Sequence, residues 1–271
     1  MNKRVLTGVI GAPIIVLILI VAPKICSAII FAAALAIGAY EIVWRTGLIK
    51  FPRLMIYTCA AAVAVCIWSY LKMQYTFGIL IVMLFTLAMF GEVLLSSGRL
   101  RLEKLGVCYF GGMVVPFLLS ATVRILTFVN GRFLVFIPFI LSFFVDIGAY
   151  LAGSRFGKHK LSPVISPNKT IEGVGGSIVF GVVGMLVYGL VLQFAFHFKV
   201  NYILVVLYGL LGALASVFGD LMFSAIKRQA KIKDYSSLLP GHGGIMDRLD
   251  SMVIVAPLVE ILVVQFPVVI R

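Results

Sequence analysis

Apolar and polar positions in this chain segregate on a scale of about twenty residues, far longer than the short periods of amphipathic helices or strands. Long apolar runs are divided by short polar segments, and a bilayer core of ~30 Å needs ~20 apolar residues per helix. The pattern predicts about nine membrane-spanning helices, near residues 5–22, 26–44, 54–71, 77–95, 105–126, 133–153, 173–196, 202–226 and 251–270. The expected fold class is therefore an all-α polytopic integral membrane protein. The first run, with Lys3 and Arg4 ahead of its apolar core, reads as a retained signal anchor because no small-x-small cleavage site clearly follows.

Composition agrees: 62% of the 271 residues are hydrophobic and 12% are charged, which excludes a soluble domain of this length. The cations set the orientation, since short cytoplasmic loops collect Lys and Arg. With the N-terminus inside and nine spans, only Lys24, Lys72, Arg124, Arg132, Lys199 and Arg271 of the 23 cations fall outside. The C-terminus is then outside. The net charge of +13 is explained by a cytoplasmic face that meets anionic lipid, and requires no nucleic acid. Cys26, Cys59, Cys66 and Cys108 show no CxxC or Cys/His spacing and read as packing residues.

Residues 1–130 form an expected scaffold of transmembrane helices, and residues 131–271 an expected catalytic region with polar loops on the cytoplasmic side. In the first part, Glu41 and Glu92 are expected to snorkel or pair at the interface. Gly8 and Gly11, or Gly111 and Gly112, would allow helices to pack closely. In the second part, Asp146 and Asp220 fall inside apolar runs, where an acid costs ~2.5 kcal/mol or more at mid-span. Asp220 precedes Lys227 by roughly 10 Å of helix, which puts it just below the cytoplasmic headgroups. A structural ion pair would account for either aspartate alone; acids and bases converging on one level favour a metal or substrate site.

Two polar segments lie at that level. Residues 153–173, GSRFGKHKLSPVISPNKTIEG, hold two Ser-Pro breaks and read as a loop or re-entrant piece, with Lys169 and Glu172 at its exit. The GVGGS that follows has no preceding strand and is not a dinucleotide loop. Residues 224–250, SAIKRQAKIKDYSSLLPGHGGIMDRLD, are the most polar stretch of the chain. Its PGHGG turn would let backbone amides approach a ligand, and Asp247 and Asp250 would share a helix face. Plain N-capping by Asp247 is the bland alternative, and the lesser one. His242 alone reads as a hydrogen-bonding turn residue, and Glu260 as a buried polar contact.

Carboxylates at a membrane surface, without clustered Cys or His, suit a hard cation such as Mg²⁺. With Lys and Arg around it, that set points to phosphoryl or nucleotidyl transfer from a nucleoside triphosphate. An anionic lipid phosphate as acceptor needs no strong general base, consistent with the absence of a Ser-His-Asp or Cys-His set.

The 224–250 segment resembles the signature of the phosphatidate cytidylyltransferase (CDP-diacylglycerol synthase) family at Ser224, Lys227-Arg228, Lys233-Asp234, Pro240, His242-Gly243-Gly244, Asp247-Arg248 and Asp250. The D-x-x-A-Y run at Asp146 to Tyr150 and the S-P-N-K-T-x-E-G run at Ser166 to Gly173 are similar to that family too. The resemblance implies transfer of CMP from CTP to phosphatidic acid, giving CDP-diacylglycerol and pyrophosphate, with Mg²⁺ required and a second cation left open. It also implies a homodimer. On the same basis Asp220 and Asp247 would hold the metal, with Asp146 and Asp250 in support. Lys227, Arg228, Lys233 and Arg248 would neutralise phosphates, Lys169 and Glu172 would complete the cavity wall, and Asp234 and His242 belong to the signature.

Two rivals remain at this level: a CTP-dependent lipid kinase, and a secondary transporter using Asp146 and Asp220. Transporters tend to carry sites near the midplane in two repeated halves, whereas these acids gather in one half and toward one face. Short loops suit a bacterial inner membrane, with the active site facing the cytoplasm.

Overall fold

A computed structural model describes residues 17–96, 100–238, 241 and 243–270. Among them are seven helices long and apolar enough to cross a membrane: α1 (Lys24–Arg45), α2 (Pro52–Leu71), α3 (Tyr75–Leu95), α4 (Leu102–Leu126), α5 (Gly131–Phe156), α6 (Ile171–Phe196) and α7 (Tyr202–Gln229). They coincide with the second to eighth apolar runs. In lipid every backbone polar group must be satisfied within the protein, and a helix does so for each run separately. The chain is an all-α polytopic membrane protein. Most of the first expected span lies outside the described residues, residues 17–21 being its helical end. Lys3, Arg4, Gly8, Gly11, Arg99, Pro240, His242 and Arg271 also lie outside them.

The ninth run differs from expectation. A short helix α8 (Met246–Leu249) and a 14-residue helix α9 (Met252–Gln265) replace one span over 251–270. Fourteen residues rise about 21 Å, less than a hydrocarbon core. Pro267 disfavours helical geometry at Phe266, whose φ is −137°. Beyond it, β4 (Val269–Ile270) pairs antiparallel with β3 (Lys199–Val200). A second hairpin, β1 (Lys160–Ser162) with β2 (Ser166–Thr170), occupies the Ser-Pro segment. The segment is a loop as expected, but an ordered one.

The chain forms two compact units, one of the described residues up to Arg132 with Gln229–Leu249, the other of Phe133–Arg228 with the residues from Asp250 on. In the first unit, α1 to α4 enclose a core that includes Val43, Leu54, Phe85, Met89, Leu105 and Cys108. Two π-helical turns, Glu41–Arg45 in α1 and Phe110–Val114 in α4, interrupt regular geometry. Gly112 allows the close packing expected of it, since a Cβ there would lie 2.8 Å from the Thr58 side chain. Glu92 pairs with Arg53 at 3.5 Å and accepts from the Tyr57 hydroxyl at 3.2 Å, in line with an interface-level acid. Three of the cations assigned outside serve this unit: Lys72 donates to the Thr127 carbonyl, Arg124 to Ser69 and Ser120, and Arg132 to the carbonyls of Ile20 and Ala22.

In the second unit, α5 and α6 approach at Gly148 and Gly176, where a Cβ on Gly148 would collide with the Gly176 carbonyl. Gly173 and Gly176 of the GVGGS run thus have a packing role, as small residues do between membrane helices, whereas Gly175 faces open space. Ser177 donates to the Val145 carbonyl at 3.2 Å, one residue before Asp146. The Thr170 side chain caps α6 by accepting from the Gly173 amide at 3.1 Å.

Candidate active site

The second unit holds seven of the expected site residues: Asp146, Lys169, Glu172, Asp220, Lys227, Arg228 and Asp250. Lys169 is the penultimate residue of hairpin strand β2, next to the Thr170 cap, and its Nζ lies 2.5 Å from Asp220 Oδ2 on α7. Ser224, one helical turn further, donates to Asp220 Oδ1 at 3.2 Å. Asp250 sits where the chain returns toward α9, its Oδ1 accepting from the Ser251 amide at 2.8 Å. Lys227 Nζ stands 3.7 Å from Asp250 Oδ2, and both side chains are largely buried. A bare backbone makes this possible: a Cβ at Gly219 would lie 2.9 Å from the carbonyl oxygens of Asp250 and Ser251. The residue before Asp220 is therefore what admits the Asp250 strand of chain against α7.

Burial and then the Asp220 carboxylate push Asp250 up to about 7, with Lys227 opposing and the Asp146 charge adding to the rise. Three carboxylates thus share one electrostatic neighbourhood, balanced by Lys169 and Lys227. Arg228 Nε donates to the Ile165 carbonyl at 3.3 Å and ties the end of α7 to the hairpin loop. Glu172 accepts from the His159 amide and lies 2.7 Å from His159 Nδ1, so it clamps the entry to β1.

The other expected residues lie on the polar segment of the first unit. Asp247, in α8, accepts at Oδ2 from the Tyr235 amide at 2.8 Å and the Gly244 amide at 2.9 Å. It staples the segment to itself, which is more than an N-cap. Arg248, Lys233 and Asp234 are exposed. Glu41 belongs here as well, although sequence reasoning left it at the interface. It accepts from Ser236 Oγ at 2.5 Å, the Ile245 amide at 3.1 Å and the Met246 amide at 2.8 Å. Its isolation was the one signal available, for no other acid precedes Glu92.

This corrects the reading of the PGHGG turn at one position. A Cβ on Gly244 would run into the Glu41 carboxylate, so what that glycine admits is a side chain of the protein itself. Gly243 holds a left-handed φ of 82° beside Asp247.

As for a cation, no group of three or more His, Cys, Asp or Glu forms a metal cage among the described residues. The donor set is still of the right kind for Mg²⁺, which is held by one or two carboxylates plus substrate phosphates. Asp250 crowded by Asp220 is a place where added positive charge would be welcome. At Asp247 a metal would share the carboxylate with two backbone amides, within the acceptor capacity of a carboxylate.

The profile of the Cytidylyltransferase family matches residues 2–266. A phosphatidate cytidylyltransferase of Bacillus subtilis is 30% identical over 98% of both chains. Those of Staphylococcus haemolyticus and Staphylococcus saprophyticus are 42% and 40% identical over 136 residues, half of this chain and 51% of each relative. With a match that runs nearly from end to end, this chain belongs to the cytidylyltransferase family.

Proposed function

We propose that the protein is a phosphatidate cytidylyltransferase: it transfers CMP from CTP to phosphatidic acid, and CDP-diacylglycerol and pyrophosphate are formed. Family membership supports the reaction class. The observation that carries it to the residues is the pair of ion pairs in the second unit, Lys169 with Asp220 and Lys227 with Asp250, in the segments that resemble the family signature.

In this reading a phosphate oxygen of phosphatidic acid attacks the α-phosphorus of CTP, and the bond from that phosphorus to the oxygen bridging to the β-phosphate breaks. The attacking oxygen is already anionic, so no general base is required. The residues must instead bring two anions together and offset their repulsion. Lys169 and Lys227 supply cationic groups beside the carboxylates, and Arg228, Lys233 and Arg248 add charge for the triphosphate or the lipid phosphate. Mg²⁺ at Asp220 and Asp247, supported by Asp146 and Asp250, would stabilise charge on the departing pyrophosphate. A second cation is compatible with the number of carboxylates.

The cation distribution supports the N-terminus inside and the site at the cytoplasmic face of a bacterial inner membrane; nine spans with the C-terminus outside further require the short α9 and the residues that follow it to complete the last crossing. A homodimer rests on resemblance. Pyrophosphate release from CTP by detergent-purified protein, with and without phosphatidic acid and Mg²⁺, tests the function. Release that needs all three, with α-phosphate label in lipid, supports it; CDP in place of pyrophosphate would mean lipid kinase chemistry.

A further inference from the structure

Glu41 stands where α1 leaves regular geometry for the π-turn Glu41–Arg45, and π-turns inside helices are frequently found at functional sites. Its residue is 1% exposed. Both carboxylate oxygens are used, Oε1 by Ser236 and Ile245, Oε2 by Met246. Burying a carboxylate is costly unless hydrogen bonds replace its water, and here the donors Ser236, Ile245 and Met246 all come from the distant polar segment. Apolar packing joins the same two elements. Met246 is fully buried, and Gly38, almost one turn before Glu41, leaves the space beside its sulfur, 3.3 Å from where a Cβ would be.

We propose that Glu41 is a positioning residue for the transfer reaction: its carboxylate holds Ser236 and the Ile245-Met246 backbone so that Asp247 and Arg248 keep one arrangement. The inference rests on the proposed function for the role of those two residues, but the contacts themselves do not. Without Glu41 the amides of Ile245 and Met246 lose their acceptor, and the segment opens while α1 to α4 remain packed. Ser236 and Gly244 are explained together by this one side chain, the first as a donor and the second as the position that makes room for it.

Glu41→Gln keeps one carbonyl oxygen but turns an amide NH₂ toward a donor; Ser236→Ala, the milder variant if the first does not purify, removes one donor to Glu41 together with the local 3.3 Å bond from the Leu238 amide. Trypsin cleavage after the exposed Lys231 and Lys233 reports on the segment, and cleavage after the exposed Lys158 and Lys160, in the β1 region, is the internal control. The expected result for Glu41→Gln is cleavage about tenfold faster at the first pair only, as for a local opening. Turnover of CTP and phosphatidic acid should fall about 10²-fold in kcat, as for a misplaced group, with KM for CTP within about threefold of wild type.

For Ser236→Ala the same selective change should appear at smaller amplitude. Unchanged cleavage and kcat, or equal acceleration at both pairs of lysines, would overturn the proposal, the latter because it marks general unfolding. If the wild type fails to turn over CTP and phosphatidic acid, the functional reading falls, and selective cleavage still decides whether Glu41 holds the segment.

Discussion

Lys169 Nζ lies 2.5 Å from Asp220 Oδ2, across the full length of α6 in sequence. The pairing joins the Ser-Pro hairpin to an intramembrane acid, and both side chains are only about one quarter exposed, at 23% and 28%. Asp220→Asn should lower turnover by ~10²–10³ while the protein remains extractable and monodisperse. Lys169→Met should do likewise, with stability reduced by only ~1 kcal/mol because the pair is partly solvated. Steady-state kinetics and thermal unfolding of each variant check this; near-normal turnover in Asp220→Asn would remove it from the site.

Asp250 carries a pH signature. Its folded value, pushed up to about 7, exceeds its unfolded value of 3.8, so between these limits the folded state binds more protons than the unfolded one. Stability should fall as pH rises through that window. The groups acting on Asp250 are Asp220 and Asp146, which favour the proton, and Lys227, which opposes it. Asp250→Asn should flatten the dependence of Tm on pH between about 4 and 7, measured in chelator so that no divalent cation intervenes. An identical slope in wild type and variant would show that another group is responsible.

Two glycines, Gly244 in the loop before α8 and Gly91 inside α3, should respond differently to alanine. Gly244→Ala sets a Cβ against the Glu41 carboxylate and should cost ~1–3 kcal/mol as overpacking does. Gly91→Ala in α3 meets nothing within 4 Å and should be neutral or stabilising by up to ~1 kcal/mol from helix propensity. Chemical or thermal unfolding in the same detergent gives the comparison, and equal effects would contradict the packing.

Gly219→Ala addresses the approach of Asp250 to α7. A Cβ 2.9 Å from two carbonyl oxygens must push residues 250–251 outward and loosen the Lys227–Asp250 pair. A displacement of that kind should reduce kcat by ~10²-fold, with the Lys169–Asp220 pair left in place. Retention of wild-type kcat would mean that Asp250 is not needed where it stands.

Much of this was written in local chemistry. Runs of twenty apolar residues can only be helices in a bilayer, because lipid offers no hydrogen bonds to a backbone, and α1 to α7 follow from that. Asp146, Lys169, Asp220, Lys227 and Asp250 were legible as candidates because charge within or beside such runs is costly. The end of the chain was less legible: α9 runs through Pro257 and stops at Phe266, before Pro267, and the β3–β4 pairing depends on two-residue strands with no periodicity to read.

What the amino-acid sequence by itself determined is the class, the runs and the chemical types at the site. Only the tertiary structure decided the partners. Lys169 meets Asp220 because a capped hairpin delivers it to α7, and Asp250 approaches because Gly219 has no side chain. Glu41 grips Ser236, Ile245 and Met246 from 195 to 205 positions away. Such pairings are set by which helices pack and where backbones touch, a property of the whole chain that no local pattern encodes.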